Sequence, residues 1–167
     1  MFFIGNDCVQ NSDVDGAFPS LKPYQTCTQY KDKAKMKILL IQQDMGQRSI
    51  QYPMYPIGLS YLAAVLTDHD VRIFDPNVYD YPASLDVLRK EVAVFKPDVA
   101  GISIRNVDTT QRKDLYVNFN TVKPTINAVL AVKPDTKIVA GGTGFSIHAE
   151  DIMSIVPEID YGIYLEG

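Results

Sequence analysis

At 167 residues the chain is sized for one domain, or one domain with a tail, and it is long enough to bury roughly 68–70% of the surface it exposes when unfolded. Hydrophobic residues make up 46% and charged residues 22%, which excludes a disordered or fibrous chain, and a net charge of -4 gives no electrostatic reason for nucleic acid or an anionic membrane as partner. No apolar run approaches the roughly 18 residues of a membrane-spanning helix, and the start Met1-Phe2-Phe3-Ile4-Gly5-Asn6-Asp7 lacks the basic region and long apolar stretch of a secretory signal, so the chain reads as cytoplasmic.

Residues 1–35 mix Asn, Ser, Asp, Gly, Pro, Lys and Gln without a helical or strand period and end in Lys31-Asp32-Lys33-Ala34-Lys35. They read as an irregular N-terminal extension. Cys8 and Cys27 both lie in it; without nearby histidines they make an incomplete metal site, and reduced thiols are the expectation. The folded domain is expected over residues 36–167. It opens with Lys37-Ile38-Leu39-Leu40-Ile41, a short continuous apolar run of the kind found in a strand covered on both faces.

Three further runs repeat that pattern: Val71 to Phe74, Val99 to Ile104, and Lys137 to Gly141, with a weaker fifth at Tyr161 to Leu165. Between them lie amphipathic stretches. Leu59, Leu62, Ala63 and Leu66 share one helical face, as do Leu85, Leu88, Val92 and Phe95, and again Val122, Ile126, Val129 and Leu130. Ser84 is placed to cap the second helix, and Lys96-Pro97-Asp98 and Lys133-Pro134-Asp135 each stop a helix before the next strand. A short last helix runs from about Ala149 to Ile155 and ends before Pro157. Five alternating βα units with right-handed crossovers predict a flavodoxin-like (Rossmann-like) α/β fold, a doubly wound parallel five-stranded sheet with helices on both faces.

Ligands of such sheets bind beyond the carboxyl ends of the strands, so the loops that follow strands carry the functional signal. The first, Gln42 through Pro56, exceeds the usual two to six residues of a βα connection. After the third strand, Ser103 offers a hydroxyl at the strand end. Arg105, Asn106 and Asp108 fit either a ligand-facing loop or a solvated one with local side-chain turns. After the fourth strand, Gly141-Gly142-Thr143-Gly144 permits close backbone approach, positive φ and free amides suited to phosphate or carboxamide oxygens; the alternative is a tight strand-to-helix turn.

Several chemistries fail on particular residues. Gly142-Thr143-Gly144 lacks the third glycine of a dinucleotide fingerprint and follows the wrong strand, and neither Gly-Lys-Ser nor Gly-Lys-Thr occurs. A phosphorelay receiver needs an aspartate where Ser103 stands, and a flavodoxin needs more hydroxyls than Gln42-Gln43-Asp44-Met45-Gly46-Gln47 supplies. His69 sits before the second strand, away from the ligand edge, and His148 fits a surface or capping role.

Met36-Lys37-Ile38-Leu39-Leu40-Ile41, Pro56-Ile57-Gly58-Leu59-Ser60-Tyr61-Leu62, Lys96-Pro97-Asp98-Val99-Ala100-Gly101-Ile102-Ser103 and Gly141-Gly142-Thr143-Gly144-Phe145-Ser146, in this order, resemble the cobalamin (vitamin B12)-binding domain that precedes the catalytic barrel of cobalamin-dependent radical S-adenosylmethionine enzymes. The resemblance spans about residues 36–167. It implies a cobalamin at the carboxyl edge of the sheet, with Ser103 facing its benzimidazole end. Gly141, Gly142 and Thr143 would line its nucleotide tail, Gly144, Arg105 and Asn106 would be further cofactor-binding residues, and Tyr52 and Met54 would lie near the corrin plane. The family it resembles includes methyltransferases acting on unactivated carbon or phosphorus.

Two departures qualify what is implied. Cobalamin proteins that ligate cobalt carry Asp-x-His-x-x-Gly after the first strand, whereas this loop has Asp44 and no histidine, so the cobalamin is expected base-off without a protein histidine ligand. No Cys-x-x-x-Cys-x-x-Cys is present; S-adenosylmethionine and a 4Fe-4S cluster would belong to a missing radical S-adenosylmethionine barrel, the expected partner. The chain then reads as a fragment or a stand-alone module, not catalytic alone. Two other classes stay open: a flavodoxin-like domain for another ligand, such as a nucleotide-sugar or a pterin, and a ligand-free interaction domain.

Overall fold

The computed structural model describes residues 2–5, 34–46, 55–105 and 118–165. Its strands are β1 (Phe2–Gly5), β2 (Lys37–Gln42), β3 (Asp70–Phe74), β4 (Val99–Ser103), β5 (Lys137–Gly141) and β6 (Tyr161–Tyr164). Its helices are α1 (Ile57–Val65), α2 (Ala83–Phe95), α3 (Val122–Leu130), α4 (Thr143–Ile147) and α5 (Ala149–Ile155). They build one sheet in the order β1-β6-β5-β4-β2-β3. The five strands β2 to β6 are parallel, as expected from the five apolar runs.

A sixth strand departs from the sequence reading. Residues 2–5, read as part of an irregular extension, pair antiparallel with β6, Phe2 opposite Tyr164 and Gly5 opposite Tyr161. The outer edge of β6 would otherwise present a row of unpaired amides and carbonyls, and a short antiparallel strand satisfies them without a crossover. Four residues are too few for a period to be seen in sequence.

The two faces of the sheet are covered unequally. On one, Leu39, Ile41, Ala100, Ile102, Ile138 and Ala140 pack with Leu88, Val92 and Phe95 of α2, Ile126 and Val129 of α3, Phe145 of α4 and Ile152 of α5 in a continuous buried core. On the other, Ile38, Leu40 and Leu59 form a small cluster under α1, edged by Met36, Ala63, Leu66, Val71 and Val99. The predicted stripes of α2 and α3 are the buried faces of those helices. That of α1 is buried only in part: Leu59 is 5% exposed but Leu62 is 39% exposed. The reason is its position, since α1 packs on β2 and the edge strand β3 and has little neighbouring surface to cover its far side.

Ser84 does not cap α2. The N-cap is Pro82, without a side-chain cap bond, and Ser84 is buried in the first turn. The Lys-Pro-Asp segments behave as expected. Lys96 takes a left-handed conformation (φ 53°) and closes α2 on the carbonyl of Val92, and Thr136 after the second segment donates its hydroxyl to the carbonyl of Pro97 at 3.0 Å.

Candidate ligand-binding site

Strand order reverses between β2 and β4, whose chains leave toward opposite sides of the sheet. Their carboxyl ends lie in register, Gln42 beside Ser103 and Ser103 beside Gly141, so the connections above them must part, and a crevice opens there. It is a cavity of about 410 Å³ lined by the end of β2 (Gln42, Gln43, Met45), the start of α1 (Tyr55 to Leu59), Ser103 and Arg105 after β4, and Gly142 and Thr143 after β5. That volume falls within the ~300–1,000 Å³ of small-molecule pockets.

Below the cavity, β4 and β5 carry small residues on the α1 side, of which Ser103 reaches the lining. A Cβ on Gly101 would lie 3.0 Å from Leu40 Cδ2, and one on Gly141 would lie 3.4 Å from Ile163 Cβ, so Gly101 and Gly141 face the α1 side, and period-two alternation adds Ser103. All three are half-buried.

The segment leaving β2 is held by a buried polar network. The Asp44 carboxylate accepts from the Gly46 amide and from the Ser84 hydroxyl, each at 2.7 Å, and its carbonyl accepts from the Thr121 hydroxyl at 2.5 Å. Asn77 accepts from the Met45 amide at 2.8 Å and donates to the Gln43 carbonyl at 2.9 Å. Gln43 Oε1 in turn accepts from the Arg105 amide at 2.9 Å, joining the loops after β2 and β4. A buried carboxylate is costly unless hydrogen-bonded; here its partners are the Gly46 amide and the Ser84 hydroxyl of α2, while Thr121 in the turn before α3 holds the backbone carbonyl, so the price of burial becomes rigidity in the cavity wall.

The structure brings together Ser103, Arg105, Gly142 and Thr143 of the predicted residues. Ser103 ends β4, and its carbonyl accepts from the Gln43 amide at 3.1 Å; the Arg105 side chain is exposed at the mouth. Gly141 ends β5 one residue from the lining. Gly142 has φ 101°, and a Cβ there would lie 2.7 Å from the Ile104 carbonyl oxygen, so glycine is required by the turn itself. Gly144 is buried and outside the lining. The amides of Gly144 and Phe145 both donate to the Ile104 carbonyl, at 2.9 and 3.3 Å. They are not the free donors expected from the sequence: the residue that follows β4 consumes them. Tyr52, Met54 and Asn106 lie outside the described residues.

Both histidines are away from the cavity lining. His69 Nδ1 accepts from the Met36 amide at 3.4 Å, at the amino end of β2, and His148 is exposed between α4 and α5 without a side-chain cap bond. Sequence reasoning assigns no site role to Gly58, Met45, Asn77 or Thr121, and weighs Asp44 only for a missing histidine motif and Ser84 only as a helix cap. The length of the first loop, with the resemblance that puts Tyr52 and Met54 near the corrin, is what signals that side.

Among the described residues no helix is long and apolar enough to cross a membrane, and no three His, Cys, Asp or Glu side chains converge as a metal site would require. The B12 binding domain family matches residues 46–167. No curated protein matches the chain. Among solved structures it is similar to the radical S-adenosylmethionine methyltransferase TsrM from Kitasatospora setae. With tryptophan substrate and the analogue aza-SAM bound, the TM-score is 0.67 at 22% identity over 77% of this chain and 23% of that one. With cobalamin and a [4Fe-4S] cluster bound, it is 0.62 at 22% identity over 78% and 22%. At that identity the likeness concerns the fold, and this chain spans less than a quarter of the solved one.

Proposed function

Because the chain belongs to the B12 binding domain family, we propose that the cavity above β2 and β4 takes part of a cobalamin, and that the chain is the cofactor-holding module of a radical S-adenosylmethionine methyltransferase-type enzyme. The observation that carries the reading is the gathering of Ser103, Arg105, Gly142 and Thr143, from loops distant in sequence, around one cavity at the strand reversal. The residues fit the group. A corrinoid is larger than about 410 Å³, so the cavity takes one portion of it, with the small residues Gly58, Ser103 and Gly142 in its lining.

In this reading Ser103 orients the benzimidazole end by its hydroxyl, Arg105 and Asn106 meet polar groups at the mouth, and Gly141 to Gly144 shape the tail's path by backbone. Tyr52 and Met54 lie toward the corrin. The cofactor is base-off without a protein imidazole, which the positions of His69 and His148 support. Bound cobalamin would supply a methyl-carrying cobalt. The chain's own residues bind, orient and shield it, and S-adenosylmethionine and the 4Fe-4S cluster belong to a partner barrel domain, since Cys8 and Cys27 cannot furnish three thiolates. Residues 36–167 form the module, residues 1–35 extend it, and its setting is cytoplasmic.

Titration of the purified chain with hydroxocobalamin and methylcobalamin, followed by absorbance, tests this. Saturable binding with a base-off spectrum is expected. No binding at high micromolar cofactor, with thermal stabilisation by a nucleotide-sugar or pterin instead, would replace cobalamin as the ligand.

A further inference from the structure

We infer that Gly58 is a ligand-approach position, whose missing side chain keeps the first turn of α1 open to the cobalamin in the cavity; the inference rests on the reading above and adds a wall to it. Glycine is among the residues least favoured inside a helix, so its place in α1 calls for a cause, and packing among the described residues supplies none. Gly46 and Gly142 are the described glycines with positive φ; Gly58 is not among them. Gly101, Gly141, Gly142 and Gly162 each have an atom that a Cβ would meet, Gly162 against the Phe145 ring and Gly142 against the Ile104 carbonyl. Among the described residues, a Cβ on Gly58 meets no atom within 4 Å.

What lies beside Gly58 is the cavity, which it lines together with Ser103, Arg105, Gly142 and Thr143. Its backbone is held in place on both sides. Leu59 is buried in the small cluster with Ile38 and Leu40, and the Ser60 amide and hydroxyl both donate to the Pro56 carbonyl, at 3.0 and 3.2 Å. A side chain added at residue 58 therefore cannot be relieved by shifting the turn. It occupies ligand space instead, and the bare backbone lets the bound group approach as closely as at a strand end.

The test compares wild type, Gly58→Ala, Gly58→Leu and, as a control, Ala64→Leu on the exposed part of the same helix, by thermal unfolding without ligand and by hydroxocobalamin titration followed by absorbance. Gly58→Ala should unfold at the same or a higher temperature than wild type, because it adds helix propensity without a clash, and yet bind more weakly. Gly58→Leu should weaken binding by about tenfold or more, and Ala64→Leu should leave it unchanged. A folded Gly58→Leu with wild-type affinity overturns the inference while leaving the cobalamin site standing, as does an equal loss in Ala64→Leu. If Gly58→Leu fails to fold, unchanged affinity in Gly58→Ala overturns it. Absence of binding by wild type overturns the site reading itself, and Gly58 with it.

Discussion

Ser84 Oγ donates to Asp44 Oδ2 at 2.7 Å, with both side chains buried, so the first turn of α2 is tied to the segment leaving β2. The bond joins a helix on the larger core to the wall of the cavity on the opposite face. Replacing Ser84 with alanine leaves a buried carboxylate oxygen short of a donor, which costs about 1–3 kcal/mol. The expected outcome for Ser84→Ala is a lower urea midpoint by circular dichroism together with weaker hydroxocobalamin binding, because Met45 beside Asp44 lines the cavity. Loss of stability with unchanged affinity would mean the network serves the fold alone.

Gly142 combines positive φ with a close carbonyl. For Gly142→Ala the strained backbone costs about 1–3 kcal/mol, and the 2.7 Å approach to Ile104 adds to it. Gly142→Val should be worse on both counts and should weaken cobalamin binding by displacing Thr143 and the Ile104 carbonyl together. Urea denaturation and cofactor titration on the same samples check it; a Gly142→Val protein as stable as wild type contradicts the turn geometry.

Ser103→Leu should separate binding from folding. Ser103 is half-buried at the end of β4, on a sheet face that tolerates apolar side chains, so the stability change is expected within about 0.5 kcal/mol. The larger side chain fills the cavity, and hydroxocobalamin affinity should fall by about tenfold or more. Retained affinity would remove Ser103 from the site.

Acid should weaken the chain partly through Glu158. A hydrogen bond from its own backbone amide, with Lys123 Nζ 3.1 Å from Oε1, holds its carboxyl below the ordinary value of 4.5. A depressed folded value means stability that is present above the ordinary value and lost as pH falls through the folded one. The drop in Tm between about pH 6 and about pH 3 should therefore be smaller in Glu158→Gln than in wild type. An equal drop would assign the acid sensitivity elsewhere.

The parallel strands β2 to β6, α2 and α3 were legible because each repeats a local pattern: a short apolar run, a 3.6-residue stripe, and a proline-containing stop. α1 was legible as a helix but not in its burial, because exposure of Leu62 depends on which strands the helix covers. Ser103, Arg105, Gly142 and Thr143 were legible as residues after strands, a rule about where cavities open in parallel sheets, and the structure sets all four in the lining of one cavity.

What remained hidden depends on partners remote along the chain. Apolar periodicity and turn chemistry by themselves determined the alternation of strand and helix, since each acts within a few residues. Tertiary structure alone decided that Ser84 binds Asp44 instead of capping its helix, that the amides of Gly144 and Phe145 are spent on Ile104, and that Gly58 faces open space among the described residues. Hydrogen bonds and free volume are settled by whichever group arrives within about 3 Å, and no local pattern encodes that meeting.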